Sequence, residues 1–565
     1  MGTLSSLTMS SFFTGERAVV LFFISLILCS LPFSLLSHAL TLSLLTLASL
    51  FLEIRFEAPN SLSLFPTRPG ASSGILLGTV TLPAVILSKM IQLSRGLSLG
   101  EVKFEELHYL TLQYWATSAS SVGVLIFLSL SLRHAPCSRS DRVLKFSLCF
   151  MFLHAALCCV SLATIYQDLH PALKLSWFVC HALAAVKLIQ HFLTTFPSCA
   201  SIGEALLVTS GIVLYFGDML LRTMEKLSGL SMSLELHPTE YGINRSEIST
   251  FIQGLLLGLL LYSLAFKYII QIGEWFIKAA SAETRYNEIG RSLVFFASLG
   301  FVMIVIGPSW MQFVQEFHVH PIFWVFSFVF SEPVKRLSLC IYWVCVICFS
   351  VLRFYNISRS SKIERILLRK YYHMLAVLMF LPALIFQPEF LNLAFGAALA
   401  VFLTLEIIRV WRIWPLGQLV HQFMNAFTDH RDSDLLIVSH FSLLLGCALP
   451  IWMSSGYNDR PLAPFAGILS LGIGDTMASM VGHKYGVLRW SKSGKKTIEG
   501  TAAGITSVLA ACSLLLPLLA STGHILTQHW FSLLIAVTVS GLLEAHTAQL
   551  DNAFIPLFFY SLLCL

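Results

Sequence analysis

Charge is scarce in this chain. Asp, Glu, Lys and Arg make up 12% of the residues, about half the roughly 25% of an ordinary soluble protein. That shortage excludes a water-soluble globular enzyme of this length. A formal net charge of +6 is too small to argue for a nucleic-acid partner. The 13 cysteines are scattered, most of them inside apolar runs. They read as small buried hydrophobes rather than as metal ligands or a disulfide framework. The phosphate-binding signature GxxxxGK followed by Ser or Thr is absent, and no clear internal repeat is present.

Apolar surface takes the place of charge. Hydrophobic residues are 56% of the chain and the mean hydropathy is +0.78. Runs long enough to cross a bilayer core, about 20 residues as helix, fall near 18–36, 38–53, 72–93, 110–132, 144–165, 172–195, 203–221, 251–270, 291–307, 318–352, 371–388, 391–411, 435–453, 462–481, 501–521, 527–545 and 553–565. The expected fold is all-α: a polytopic transmembrane helical bundle of about 15 spans with no soluble domain. The run after Arg17 starts like a secretory signal, but apolar residues continue to Leu52, which makes it a membrane anchor. Residues 1–355 form a multi-span region with little that suggests chemistry. Glu204 and Asp218 there stand near expected helix ends, and 274–291 reads as a solvated connector.

Residues 356–565 differ. Lys and Arg concentrate at 353–370 and 484–496, which the positive-inside rule assigns to the cytoplasm. Counting crossings from the first of these loops brings Arg409, the 412–434 loop, the 484–496 loop, Glu544, Asp551 and Asn552 to the same face. One membrane surface therefore collects the ionisable clusters of this half.

The strongest cluster is Gly472–Gly504, GIGDTMASMVGHKYGVLRWSKSGKKTIEGTAAG. Phosphoryl transfer needs positioning, a metal and cations rather than elaborate covalent chemistry. Asp475, after Gly474, is a carboxylate inside an apolar helix, a costly place unless a cation such as Mg2+ relieves it. Gly482, Gly486 and Gly494 allow close backbone approach to an anion. Lys484, Lys492, Lys495 and Lys496 supply positive charge, and Ser493 and Thr497 stand among them. A helix opening near Glu499, through Gly500 and Thr501, would add N-terminal amides as an anion site. The alternative is a basic loop touching anionic lipid.

Four smaller clusters accompany it. Arg431 and Asp432 follow Asp429 and His430, an arrangement suited to proton acceptance or metal binding and equally to helix capping; His440 lies just beyond. Glu406 and Arg409, three apart on a helix, are either an intrahelical pair or residues facing a bundle interior. Arg369, Lys370 and His373 share a face, where anchoring at the interface explains the cations and leaves His373 as a candidate. Glu544, Thr547 and Asp551, with Asn552, repeat at i, i+3 and i+7 as one stripe of a helix end, able to bind metal, ribose or base, or to bond neighbouring helices.

Together these motifs resemble the CTP-dependent polyprenol kinase family. The resemblance rests on Arg369-Lys370-x-x-His373, Glu406-x-x-Arg409, Arg431-Asp432 with Ser439-His440, Gly474-Asp475, Lys484-x-Gly486, Lys495-Lys496-Thr497-x-Glu499-Gly500-Thr501 and Glu544-x-x-Thr547 with Asp551-Asn552. It covers about residues 365–560, and the long hydrophobic N-terminal half points within that family to the dolichol kinases. The resemblance implies a multi-pass enzyme of the endoplasmic reticulum membrane with its site facing the cytoplasm. It implies phosphorylation of dolichol to dolichyl phosphate, the carrier for N-glycosylation and related glycosylation. It also implies CTP as donor, bound at about Gly486–Thr501, and Mg2+ or another divalent cation held by Asp475, Glu544 and Asp551. Catalysis falls to Asp475, Asp432, Arg431, Lys484 and Lys496; the partners are dolichol, CTP and membrane lipid, with the oligomeric state left open. Phosphatidate cytidylyltransferases share the Gly-Asp and Lys-Lys-Thr-x-Glu-Gly elements but add His-Gly-Gly and Asp-Arg-x-Asp; here the matching region reads EAHTAQLDN. A lipid transporter or scramblase would instead place paired charges at mid-membrane in symmetric halves.

Overall fold

The computed structural model describes residues 14–57, 65–134, 141–165, 171–232, 246–277, 284–360, 365–425, 438–491, 496–521 and 529–565. Among them the chain is helical, with no strand and a single isolated antiparallel bridge between Arg489 and Thr497. Among the described residues nine helices are long and apolar enough to cross a bilayer, or ten if the bent pair Glu247–Ser263 and Ala265–Ile272 counts as one span. Six shorter apolar helices of 10–17 residues, such as Lys370–Phe386 and Trp530–His546, accompany them. The helices also run past the apolar stretches that mark them. Phe104–His134 and Ile202–Met232 extend into flanking polar sequence, and most of the expected 274–291 connector is helix, at Glu247–Ile277 and Thr284–Phe301.

Two compact units do not follow a single cut in the chain. One is drawn from Met1–Asp218, Ser361–Leu378 and Gly446–Leu565. At its centre stands Ile75–Ser98, about 36 Å long at 1.5 Å per residue, with 94% of its apolar window buried inside the protein. A helix apolar on every face belongs in the middle of a bundle. Leu36–Phe56, Phe104–His134 and Asp551–Cys564 pack against it. Phe23 stacks on Phe558 with centroids 3.8 Å apart, and the Ser88 and Ser561 hydroxyls meet at 2.5 Å. Leu45, Phe56, Ile75, Leu125, Ile189 and Leu206 fill a second part of this core.

The other unit is drawn from Met219–Ser360 and Met379–Leu445. Glu247–Ile277 packs on Pro388–Trp411 there, and Tyr262, Phe266, Phe295 and Ile408 form its core. Gly396 makes the helix crossing possible: a methyl group at that position would stand 2.5 Å from Ile252 Cγ1.

Candidate active site

Asp475 closes a π-helical stretch, Ile468–Asp475, which passes directly into the α-helix Thr476–Tyr485. Such wide turns are rare and concentrate at functional positions, because the extra residue re-aims the side chains around it. The carboxylate is buried, only 4% exposed. A lone charge there would be costly, and two donors from a neighbouring helix answer it. Lys370 Nζ donates to Asp475 Oδ2, and His373 Nδ1 stands 3.0 Å from the same oxygen. His373 Nδ1 is also 3.1 Å from Leu471 O. Lys370 and His373 are one turn apart on Arg365–Phe386, so a single helical face presents both. Asp475 Oδ1 has only a long contact, 3.5 Å from Ser479 Oγ.

A cavity opens beside this trio. Its walls include Gly474, Thr501, Gly504, Ser540 and Glu544, and it runs on to the apolar side chains of Val537 and Phe559. The charges of Asp475, Lys496, Lys370 and Asp551 all act on Glu544. Lys496 Nζ donates to Glu544 O and lies 3.5 Å from Thr547 O, so its ammonium caps the C-terminal end of Trp530–His546. Asp475, Lys370, His373, Lys496, Thr501 and Glu544 thus converge within one unit.

The described flanks of the lysine-rich loop, 488–490 and 496–498, pair with each other. Ile498 N donates to Leu488 O at 2.8 Å, and Trp490 N to Lys496 O at 3.3 Å. Glu499 accepts from Leu488 N at 3.0 and 3.2 Å. Trp490 Nε1 donates to Thr501 Oγ1 at 2.9 Å, and its ring lies edge-on to His546 at 4.9 Å. Lys484 is exposed, with its ammonium 5.1 Å from the Tyr485 ring centroid. Lys492, Ser493, Gly494 and Lys495 lie outside the described residues.

Two expectations require correction. The N-terminal amides of Ile498–Ser521 are not an open anion site. Ile498 N is taken by Leu488 O, and Gly500 N by Thr497 Oγ1 at 3.2 Å, a side-chain cap. The described glycines of this region stand in close contact with other parts of the chain, and Gly494 lies outside the described residues. A methyl at Gly500 would stand 2.6 Å from Ala478 O, one at Gly486 2.6 Å from Thr497 Cγ2, and one at Gly504 3.0 Å from Gly474 O. Glu544, Thr547 and Asp551 do not form one helical stripe either. Trp530–His546 ends with Thr547 in an extended conformation, and a separate helix starts at Asp551. Asn552 is buried in the first turn of that helix, where its amide donates to Asp551 Oδ1 at 3.2 Å.

In the second unit Arg409 grips Glu406 in a buried fork, Nε to Oε2 at 2.8 Å and Nη2 to Oε1 at 2.6 Å. Arg431 and Asp432 lie outside the described residues, as does the side chain of His440, whose backbone is in the first turn of Val438–Met453. Among the described residues no three His, Cys, Asp or Glu side chains gather closely enough to hold a metal ion. Two residues of the site escaped the sequence reading. Lys370 was visible in Arg369-Lys370-x-x-His373 but was explained by interface anchoring. Trp490 had no signal beyond being an aromatic in a basic loop.

The family model for dolichol kinase matches residues 181–508. The protein named Dolichol kinase EVAN of Arabidopsis thaliana is 62% identical over 99% of this chain and 100% of its own length. The human dolichol kinase is 30% identical over 67% of this chain and 68% of its own, and that of Schizosaccharomyces pombe 28% identical over 75% and 90%. No solved structure matches. A buried carboxylate–lysine–histidine trio beside a half-apolar cavity, joined to these matches, leads to one conclusion: the chain is an enzyme and belongs to the dolichol kinase family.

Proposed function

We propose that the chain transfers the γ-phosphoryl group of CTP to the hydroxyl of dolichol, giving CDP and dolichyl phosphate for N-glycosylation and related glycosylation. The observation that carries the proposal is Asp475, gripped by Lys370 and His373, with the adjoining Gly474 in the wall of a cavity that continues among apolar side chains. Phosphoryl transfer asks for charge held in place and a water-poor setting. A polyprenol asks for apolar walls beside that charge.

In this reading the lipid hydroxyl enters between Gly474, Thr501 and Glu544, and its first isoprene units follow the cavity toward Phe559. Asp475 orients the reacting groups. Lys370 and Lys496, with Lys484 and the loop residues Lys492 and Lys495, neutralise the charge that grows as the bond to the bridging oxygen of CDP breaks. Mg2+ favours one or two carboxylates together with phosphate and water oxygens, and Asp475 and Glu544 are such a pair, with Asp551 close enough for its charge to act on Glu544. Bound there, the ion would supply further neutralisation of phosphate charge. Ser493, Thr497, Glu499 and the glycines of this segment are retained as nucleotide-binding candidates on the motif resemblance. Arg431, Asp432, His440, Glu406, Arg409 and Asn552 are retained as candidates on the motif resemblance.

The same reading assigns catalysis to residues 356–565 in an endoplasmic reticulum membrane, with the site toward the cytoplasm. Labelled nucleotide tests the reaction. γ-Labelled CTP should mark the lipid, and α-labelled CTP should leave it unmarked; the reverse pattern would establish a cytidylyltransferase instead. Asp475→Asn should abolish transfer while the chain still inserts in the membrane, and retained turnover would sink the proposed site.

A further inference from the structure

The turn between the last two helices, Thr547–Leu550, is held from the far end of the sequence. Arg68 and Glu204 are both buried and form an ion pair, Nη2 to Oε1 at 2.6 Å. Each has a second task on the turn. Arg68 Nη2 donates to Ala548 O at 3.0 Å, and Glu204 Oε1 accepts from Leu550 N at 2.6 Å. Between those two backbone groups, Gln549 Nε2 donates to Ser72 O at 3.0 Å and Ser72 Oγ at 2.8 Å, while its oxygen accepts from Ser201 Oγ. Gly74, in a left-handed conformation with φ of 63°, leaves room for the amide: a methyl group there would stand 2.5 Å from Gln549 Cδ. Both flanks of this turn carry the proposed chemistry. Lys496 reaches Glu544 O and Thr547 O on one side, and Asp551 opens the helix on the other.

We propose that Arg68, Glu204 and Gln549 are positioning residues that fix the Thr547–Leu550 turn and, through it, the placement of Glu544, Lys496 and Asp551. The proposal rests on the reading of the active site given above. An ion pair that merely strengthened the bundle would need neither the carbonyl of Ala548 nor the amide of Leu550. Here donor and acceptor are matched one to one with the two backbone groups that set the direction of the turn. A misplacement of about 1 Å at a catalytic group costs on the order of 10²-fold in rate, so the clamp acts on turnover before it acts on folding.

The test uses the full-length protein in lipid vesicles, with γ-labelled CTP and dolichol. Gln549→Met keeps side-chain volume and removes the amide. Its kcat should fall about 10- to 100-fold, the range typical of residues that orient a site through their neighbours, with KM for both substrates and the thermal midpoint unchanged. Unaltered kcat, or a loss that only tracks the amount of folded protein, overturns the proposal. The charge reversal Arg68→Glu with Glu204→Arg re-forms the ion pair, but a carboxylate at position 68 cannot donate to Ala548 O and a guanidinium at 204 cannot accept from Leu550 N. It should recover folded protein and not kcat; full recovery of both marks the pair as purely structural and overturns the clamp. Lys496→Met, run alongside, separates the two levels. Normal turnover by Gln549→Met beside an inactive Lys496→Met defeats the clamp alone, whereas an active Lys496→Met defeats the site reading beneath it.

Discussion

Asp475 shares one of its oxygens between Lys370 and His373, and this sharing governs what substitution does. Removing one partner of a buried ion pair costs about 3–5 kcal/mol, because the other charge stays buried and unpaired. Lys370→Met should therefore lower both stability and turnover. Adding Asp475→Asn to it should recover much of the stability and none of the turnover, a split that thermal unfolding and a kinase assay read separately. Asp475 itself was legible as a carboxylate out of place in an apolar run. Lys370 was not, because a lysine at a helix end near the interface has an ordinary explanation and only coordinates reveal which face it takes. Asp459, in the loop before Leu462, offers a pH readout. Burial pushes its carboxyl up, but hydrogen bonds from Arg95 and Gln92, with the charges of Arg95 and Arg460, outweigh that and hold it below the usual carboxylate range. Its contribution to stability is present at neutral pH and disappears as pH falls below about 4. Asp459→Asn should flatten that acid limb of the unfolding midpoint.

Between elements, the site depends on how Thr476–Tyr485 lies against Ile498–Ser521. Gly500 lets the two helices touch, and overpacking a close contact costs about 1–3 kcal/mol. Gly500→Ala, whose methyl would meet Ala478 O at 2.6 Å, should lower the thermal midpoint accordingly. Trp490 ties its flank of the lysine-rich loop to Thr501 at 2.9 Å. Trp490→Phe deletes that bond, worth about 0.5–1.5 kcal/mol, and should raise KM for CTP more than it lowers kcat. The helices here were legible from apolar periodicity, down to the start of Ile498–Ser521 beside Thr497. The close contacts of the glycines were not legible, because flexibility for a ligand and closeness for a helix leave the same letter in the sequence. The break after His546 fits the separate apolar runs at 527–545 and 553–565, but the helical spacing carried on through Thr547 and Asp551 did not show it. No Gly or Pro marks it; the helix stops because Lys496 takes a carbonyl of its last turn and Arg68 takes one just beyond it.

At the scale of the molecule, the C-terminal region proposed to carry catalysis cannot be lifted out. Asp551–Cys564 is buried along nearly its whole length against Ile75–Ser98, so residues 356–565 expressed alone should yield little monodisperse protein and no kinase activity. Supplying residues 1–355 as a second chain should restore some of both, as size-exclusion and γ-label assays would show. Hydropathy marked the positions of these helices, but no period or motif tells which helix is neighbour to which, and the partnership of the chain's two ends emerges only from packing. That partnership has a consequence in time. Arg68 and the carbonyl it binds are 480 residues apart, and at about 5–20 residues per second of synthesis the ribosome needs roughly 24–96 s to deliver the second after the first. Throughout that interval the early helices wait in the bilayer with a guanidinium committed to a partner not yet made. The Glu204 carboxylate, made 136 residues after Arg68, can pair with that charge long before the turn docks and the enzyme becomes competent.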